Sequence, residues 1–141
     1  MDIPEVAPGS TIFFPVYHEG ALLYAGDVHA VQGDGEISGT AVEMPAKIRI
    51  RVDLLKGEAI SWPRIETGDE VISVATASAG RTLEDTIRIA YLELALWLEE
   101  RHGLDRFEGL LLCCQVGKIR VGNLWSIAAK IEKEYLNSIK K

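Results

Sequence analysis

Between Gly26 and Glu36 the chain reads Gly-Asp-Val-His-Ala-Val-Gln-Gly-Asp-Gly-Glu, which gathers Asp27, His29, Gln32, Asp34 and Glu36 among three glycines. A neutral imidazole beside carboxylates is a donor set for a divalent metal ion, with positions left open for water and for a substrate oxygen. Alternate residues of an extended strand share a side, so Asp27 and His29 are expected to point one way while Val28 packs the other. The same parity groups Asp34 with Glu36. Gly33 and Gly35 supply the backbone angles of a tight turn and permit close approach.

The expected metal ligands are Asp27, His29 and Glu36, and zinc is one candidate ion. The expected acid/base groups are Glu36, Asp34 and His29. Gln32 and the backbone amides of Gly33 and Gly35 are candidates for orienting a substrate. The competing reading has the carboxylates accepting backbone hydrogen bonds in a glycine-rich turn, with His29 a satisfied core side chain. Glu43, just beyond, is open between metal ligand and surface ion pair. A covalent mechanism through Ser38 or Thr40 ranks second, because neither sits in a recognisable nucleophile turn. His18 reads as a turn residue and His102 as a cation at a helix C-terminus. Trp62, Trp97 and Trp125 read as core or interface anchors. Arg81 reads as solvated.

The elements that must hold these groups change character along the chain. Residues 1–9, with Pro4, Pro8 and Gly9, suit an extended linker or docking arm. Ser10 to Tyr17 is rich in β-branched and aromatic residues and reads as a strand, with Pro15 marking an edge or bulge. His18-Glu19-Gly20 turns into a return strand, Ala21 to Ala25, that delivers Asp27. Ile37 to Val42 reads as a short strand after the loop. Lys47 to Leu55 alternates, with Ile48, Ile50, Val52 and Leu54 on one side, and reads as an antiparallel strand with one face buried. Lys56-Gly57-Glu58 turns it towards a partner holding Ile60 and Trp62. Glu70 to Thr76 is a further strand, ended by Ala77-Ser78-Ala79-Gly80.

Helical periodicity then takes over. Thr82 with Asp85 imitates a capping box, and Ile87, Tyr91, Leu94 and Leu98 form one apolar stripe. Gly103 suits the C-cap, and Asp105 caps a second helix reaching about Cys114. Gly117 to Val121 reads as a last strand. Leu124 to Ile139 reads as an amphipathic helix with Trp125, Ile131 and Leu136 inward and Lys140 and Lys141 at the end its dipole favours. Strands first and helices last predict an α+β fold: a mainly antiparallel sheet from the first half, with two or three helices from the second packed on it.

The whole chain, residues 1–141, is the size of a single domain. A formal net charge of -6 and the lack of clustered basic residues argue against a nucleic-acid partner. No stretch has the length of a membrane span, and no signal peptide is recognisable, so a cytoplasmic protein with no membrane partner is expected. Cys113 and Cys114, adjacent in an apolar run, read as reduced, buried and inert core residues.

The block from Gly26 to Glu36 resembles the signature of the acetamidase/formamidase family, amidases that act on small amides. Gly9-Ser10-Thr11, Phe14-Pro15-Val16 and Gly20-Ala21-Leu22 upstream agree with it, as do Gly39-Thr40-Ala41 and Glu43 downstream. The resemblance extends more loosely to the C-terminal helices and covers the C-terminal half of a family member. It implies hydrolysis of formamide or acetamide to carboxylate and ammonia. It also implies a missing first half, so that Met1-Asp2 matches an internal methionine and residues 1–9 form the joint. The expected partners are accordingly a small amide substrate and either further copies of the chain or a separately encoded N-terminal half. The rival expectation is a non-catalytic or incomplete subunit that needs that half.

Overall fold

The computed structural model describes residues 1–78 and 80–139. Among these residues the fold is α+β, a five-stranded antiparallel sheet with three helices. The strands are β1 (Thr11–Phe13), β2 (Arg64–Glu66), β3 (Glu70–Thr76), β4 (Lys118–Val121) and β5 (Ser126–Glu132), in the order β1-β2-β3-β5-β4. The helices are α1 (Leu83–His102), α2 (Arg106–Val116) and α3 (Lys133–Ile139). β3 and β5 form the central ladder, with Val71 opposite Ile131 and Ala75 opposite Ile127.

Both sheet faces are covered. Val71, Ala75, Ile127, Ala129 and Ile131 meet Leu94, Trp97 and Leu98 of α1 and Leu136 of α3. Burying side chains such as Leu94 and Ile131 stabilises by roughly 1.5–3 kcal/mol each. Ser73 also points to the helices, where its hydroxyl donates to the Ala90 carbonyl. Ile72, Val74, Ile65 and Ala128 face the other way and are capped by Ile3 of the N-terminal segment. The expected docking arm thus covers the second face of the sheet.

The helix signals were legible. Thr82 and Asp85 form a reciprocal capping box, and Gly103 ends α1 with φ 74°. Asp105 caps α2 reciprocally with Glu108. Ion pairs tie α1 to β2: Arg64 is buried, donates to Glu93 at 2.8 Å and Glu100 at 2.6 Å, and stacks over Trp97.

Several strand expectations are corrected. β1 stops before Pro15, and the stretch from Ala21 to Ala25 is irregular, with Ala21 and Leu22 at φ 57° and 56°. Ile37 to Val42 is likewise not a strand. Lys47 to Leu55 alternates as expected but pairs with no strand among the described residues, and Ile48, Ile50, Val52 and Leu54 are all exposed. Alternation specifies a strand with two faces; it cannot supply the neighbouring edge that would hold it. The Gly57 turn is present, yet the next strand is β2, which begins after Pro63 rather than at Ile60 and Trp62.

The amphipathic helix expected from Leu124 to Ile139 is a hairpin strand followed by a short helix. β5 is sandwiched between β3 and β4 and covered on both faces, so its sequence shows no clean two-residue period. Ala128 and Ala129 lend it helical character that tertiary pairing overrides. Ile131 and Leu136 are buried as expected, whereas Trp125 is exposed. Ala79, Lys140 and Lys141 lie outside the described residues. No helix among the described residues is long and apolar enough to cross a membrane.

The N-terminal segment is locked by charge. Glu5 accepts from Arg120 at 2.6 Å and Lys130 at 3.0 Å, and Lys130 also contacts Glu70. Burial pushes the Glu5 carboxyl up, but Lys130 and Arg120 pull it further, leaving it below its ordinary value. A depressed carboxylate stabilises the fold above its unfolded pKa, and that contribution is lost as pH falls through the folded one. Melting curves from roughly pH 6 down to 3 are expected to show a decline in Tm that Glu5→Gln flattens; equal slopes in both proteins would refute this.

Candidate active site

The signature block folds as a small hairpin-like clasp. Ala30 N–H donates to the Val42 carbonyl at 2.8 Å, Val42 N–H to Val31 at 3.0 Å and Met44 N–H to Val28 at 3.1 Å. His29 and Glu43 are therefore directly opposed, in an isolated antiparallel bridge. Opposed residues in such a pair bring their side chains together on one side. The apex is built of turns, with Glu36 N–H donating to Gly33 and Gly39 N–H to Glu36. Gly35 has φ 84° and Glu36 φ 40°, a left-handed conformation that is costly for a non-glycine residue. Gly35 N–H reaches the Val121 carbonyl at 2.7 Å, and Asp34 pairs with Arg120, so the apex is tethered to β4.

His29 sits at the centre of this clasp. Its Nε2 lies 3.0 Å from Glu43 Oε2, 3.3 Å from Asp27 Oδ1 and 3.9 Å from Glu36 Oε1. The His29 and Glu36 side chains are each only 7% exposed. Nε2 is nonetheless buried without an aligned hydrogen-bond partner among the described residues. Its other nitrogen, Nδ1, lies 3.3 Å from Gln32 Oε1. One ligand atom each from Asp27, His29 and Glu43 fall within 4.8 Å of one another, as one metal ion requires.

Asp27 and His29 do converge, though not by strand parity. Asp27 has φ 60°, so a left-handed turn carries its carboxylate back to the imidazole. Glu43 joins them, its carboxylate lying 3.0 Å from His29 Nε2. Its signal in the sequence is the clasp register: the glycine-rich apex centres on Glu36, and residues equally far on either side, 29 and 43, oppose each other. Asp2 was missed entirely. It accepts from Gln32 Nε2 and from Asn123 Nδ2, and nothing in residues 1–9 marks it as more than a linker residue.

Electrostatics follow from this crowding. Burial pulls the His29 pKa down, but the Gln32 contact and the charges of Glu43, Asp27 and Glu36 outweigh it and hold it above its usual value. Glu36 is raised, first by burial and then by the Asp2 charge, against the opposing pull of His29. The remaining candidates lie in ordinary settings. Ser38 makes a local turn contact to the Thr40 carbonyl at 3.2 Å. Arg81, expected to be solvated, is instead half-buried, stacks on Trp62 and donates to the Thr76 carbonyl. Cys113 is a buried free thiol that burial pushes up to about 11, which fits an inert core residue, whereas Cys114, expected to be buried beside it, is exposed.

A family model described as the Acetamidase/Formamidase family matches residues 1–79. An acetamidase of Mycolicibacterium smegmatis is 53% identical over 57 residues, covering 40% of this chain and 14% of that protein. A formamidase of Methylophilus methylotrophus is 45% identical over 56 residues, covering 39% of this chain and 14% of that protein. Among solved structures, an acetamidase from Yersinia enterocolitica superposes with a TM-score of 0.90 at 43% identity, covering 96% of this chain and 42% of that one. An acetamidase from Bacillus halodurans gives 0.85 at 27% identity, covering 99% of this chain and 48% of that one. The chain thus spans less than half the length of these solved relatives. With its signature clasp and more than half of its residues inside the matched region, the chain belongs to the acetamidase/formamidase family.

Proposed function

We propose that this chain carries the site of a metal-assisted hydrolase of short aliphatic amides such as formamide and acetamide, releasing carboxylate and ammonia. The observation that carries the reading is the buried His29 Nε2, without an aligned hydrogen bond yet surrounded by carboxylate oxygens of Asp27, Glu36 and Glu43. A buried polar atom is normally satisfied, and a cation among these donors would satisfy this one. The names of the relatives, acetamidase and formamidase, agree with hydrolysis of short amides.

Asp27, His29 and Glu43 would hold the ion, with Glu36 beside them. Zinc suits the mixed nitrogen and oxygen donors, and such an ion polarises a carbonyl oxygen and acidifies water. Glu36 takes the proton steps. Its buried, raised-pKa carboxyl accepts a proton from the attacking water and returns it to the departing nitrogen as the C–N bond breaks. Asp34 is engaged by Arg120 and serves to hold the apex, leaving Glu36 as the proton carrier. Gly33, with open space where a Cβ would stand, leaves room for a small amide. We assign the reaction to the cytoplasm, in keeping with the free thiols of Cys113 and Cys114.

A second reading concerns completeness. Ile48, Ile50, Val52 and Leu54 form an exposed apolar row, and an open concavity of about 670 Å³ runs along Lys47, Ile48, Arg49 and Ile50. Such a row suits a partner surface, either another copy or a polypeptide corresponding to the rest of the longer relatives. The chain alone would then be an incomplete subunit. Ammonia release from formamide and acetamide, measured for the chain alone and after mixing with that polypeptide, tests both readings together. Activity in the assembled, zinc-supplied protein is expected; its absence under both conditions would contradict the amidase assignment.

A further inference from the structure

We propose that Gln32 and Asp2 are positioning residues that fix the His29 tautomer, keeping a proton on Nδ1 and presenting a bare Nε2 to Asp27, Glu36 and Glu43. This rests on the metal-site reading above, but it concerns atoms outside the ligand set and a property the metal-free protein already has.

Gln32 Nε2 lies 3.1 Å from the Gly122 carbonyl oxygen and 3.3 Å from Asp2 Oδ1. A carbonyl and a carboxylate only accept, so the donating end of the Gln32 amide must face them. Turning the amide over would set its oxygen against two others. Gln32 Oε1 is thereby left towards His29 Nδ1, at 3.3 Å, and an amide oxygen can only accept. Nδ1 must carry the hydrogen. In a neutral imidazole Nε2 then has the free lone pair, which is what binding a cation requires.

Asp2 is itself held. Its second oxygen accepts from Asn123 Nδ2 at 2.9 Å, while Asn123 Oδ1 takes the Trp125 N–H at 3.0 Å, which fixes the orientation of that amide too. The chain of bonds therefore runs from the backbone at the start of β5, through Asn123, Asp2 and Gln32, to the imidazole. Gly122 makes room for it: a Cβ there would collide with the Asp2 carbonyl oxygen and the Ile3 side chain. The N-terminal segment that covers the sheet thus also orients the site histidine.

The test reads the tautomer directly. Long-range proton–nitrogen NMR on metal-free protein with labelled histidine, at a pH high enough that the imidazole is neutral, is expected to show a protonated Nδ1 and an unprotonated, pyridine-like Nε2 at His29 in the wild type. Gln32→Leu, which keeps the shape and removes the acceptor, is expected to raise the Nε2-protonated form. Asp2→Asn, which halves the acceptor capacity facing Gln32 and Asn123, should do so to a smaller degree and guards against a Gln32→Leu protein that fails to fold. Titration with zinc alone should give an affinity roughly 10- to 100-fold weaker in each variant. A neutral wild-type His29 that carries its proton on Nε2, or a tautomer unchanged by both substitutions, overturns the proposal. A wild type that binds no zinc but whose tautomer shifts in the variants defeats the metal reading while leaving this one standing.

Discussion

Replacing His29 by alanine is expected to take the metal content from about one ion per chain to near zero and to lower amide hydrolysis by at least about 100-fold, a larger loss than outer partners of a metal site give. The fold should hardly notice. His29 belongs to a clasp of residues 27–44 that is tethered to β4 but adds no side chain to the buried clusters of the sheet and helices, so the cost to the metal-free protein is expected to be about 1 kcal/mol or less. Elemental analysis and melting curves of the two proteins check this. A structural His29 would give the reverse, with a marked drop in Tm and metal absent from both.

Leu94→Ala should behave in the opposite way. Leu94 is fully buried in the cluster between α1 and the sheet, and its truncation is expected to cost about 2–5 kcal/mol, lowering Tm on the order of 10 °C without changing the metal stoichiometry of the folded fraction. Ile50→Ala, by contrast, should change the stability of the monomer by no more than about 0.5 kcal/mol, because Ile50 is 56% exposed. Its effect belongs to assembly: sedimentation should show weaker association if the apolar row is a partner surface. A core-sized loss of stability for Ile50→Ala would contradict the description of the segment as uncovered.

Leu94 and Ile50 also mark the limit of what pattern alone conveys. Both sit on clean apolar periods, but a helix satisfies its own backbone and needs only a surface to rest on, whereas a strand needs an edge. The caps Thr82, Gly103 and Asp105 were readable because capping chemistry is local. β5 was not, since a strand covered on both faces and holding Ala128 and Ala129 has neither the period nor the propensity of its conformation. At the site, Asp27 and His29 were legible as a pair through their residue types. Glu43 became a partner only through clasp register, and Asp2 through a contact across 30 residues to Gln32 that no local signal encodes.

If the cluster around His29 works through a bound cation, exhaustive chelation of the assembled wild-type protein followed by an ammonia-release assay with formamide will show it. Activity is expected to disappear with the metal and to return on adding back zinc or another divalent ion. Metal-free protein that still hydrolyses formamide would contradict it and return Ser38, Thr40 and the carboxylates to contention as the groups that carry the reaction.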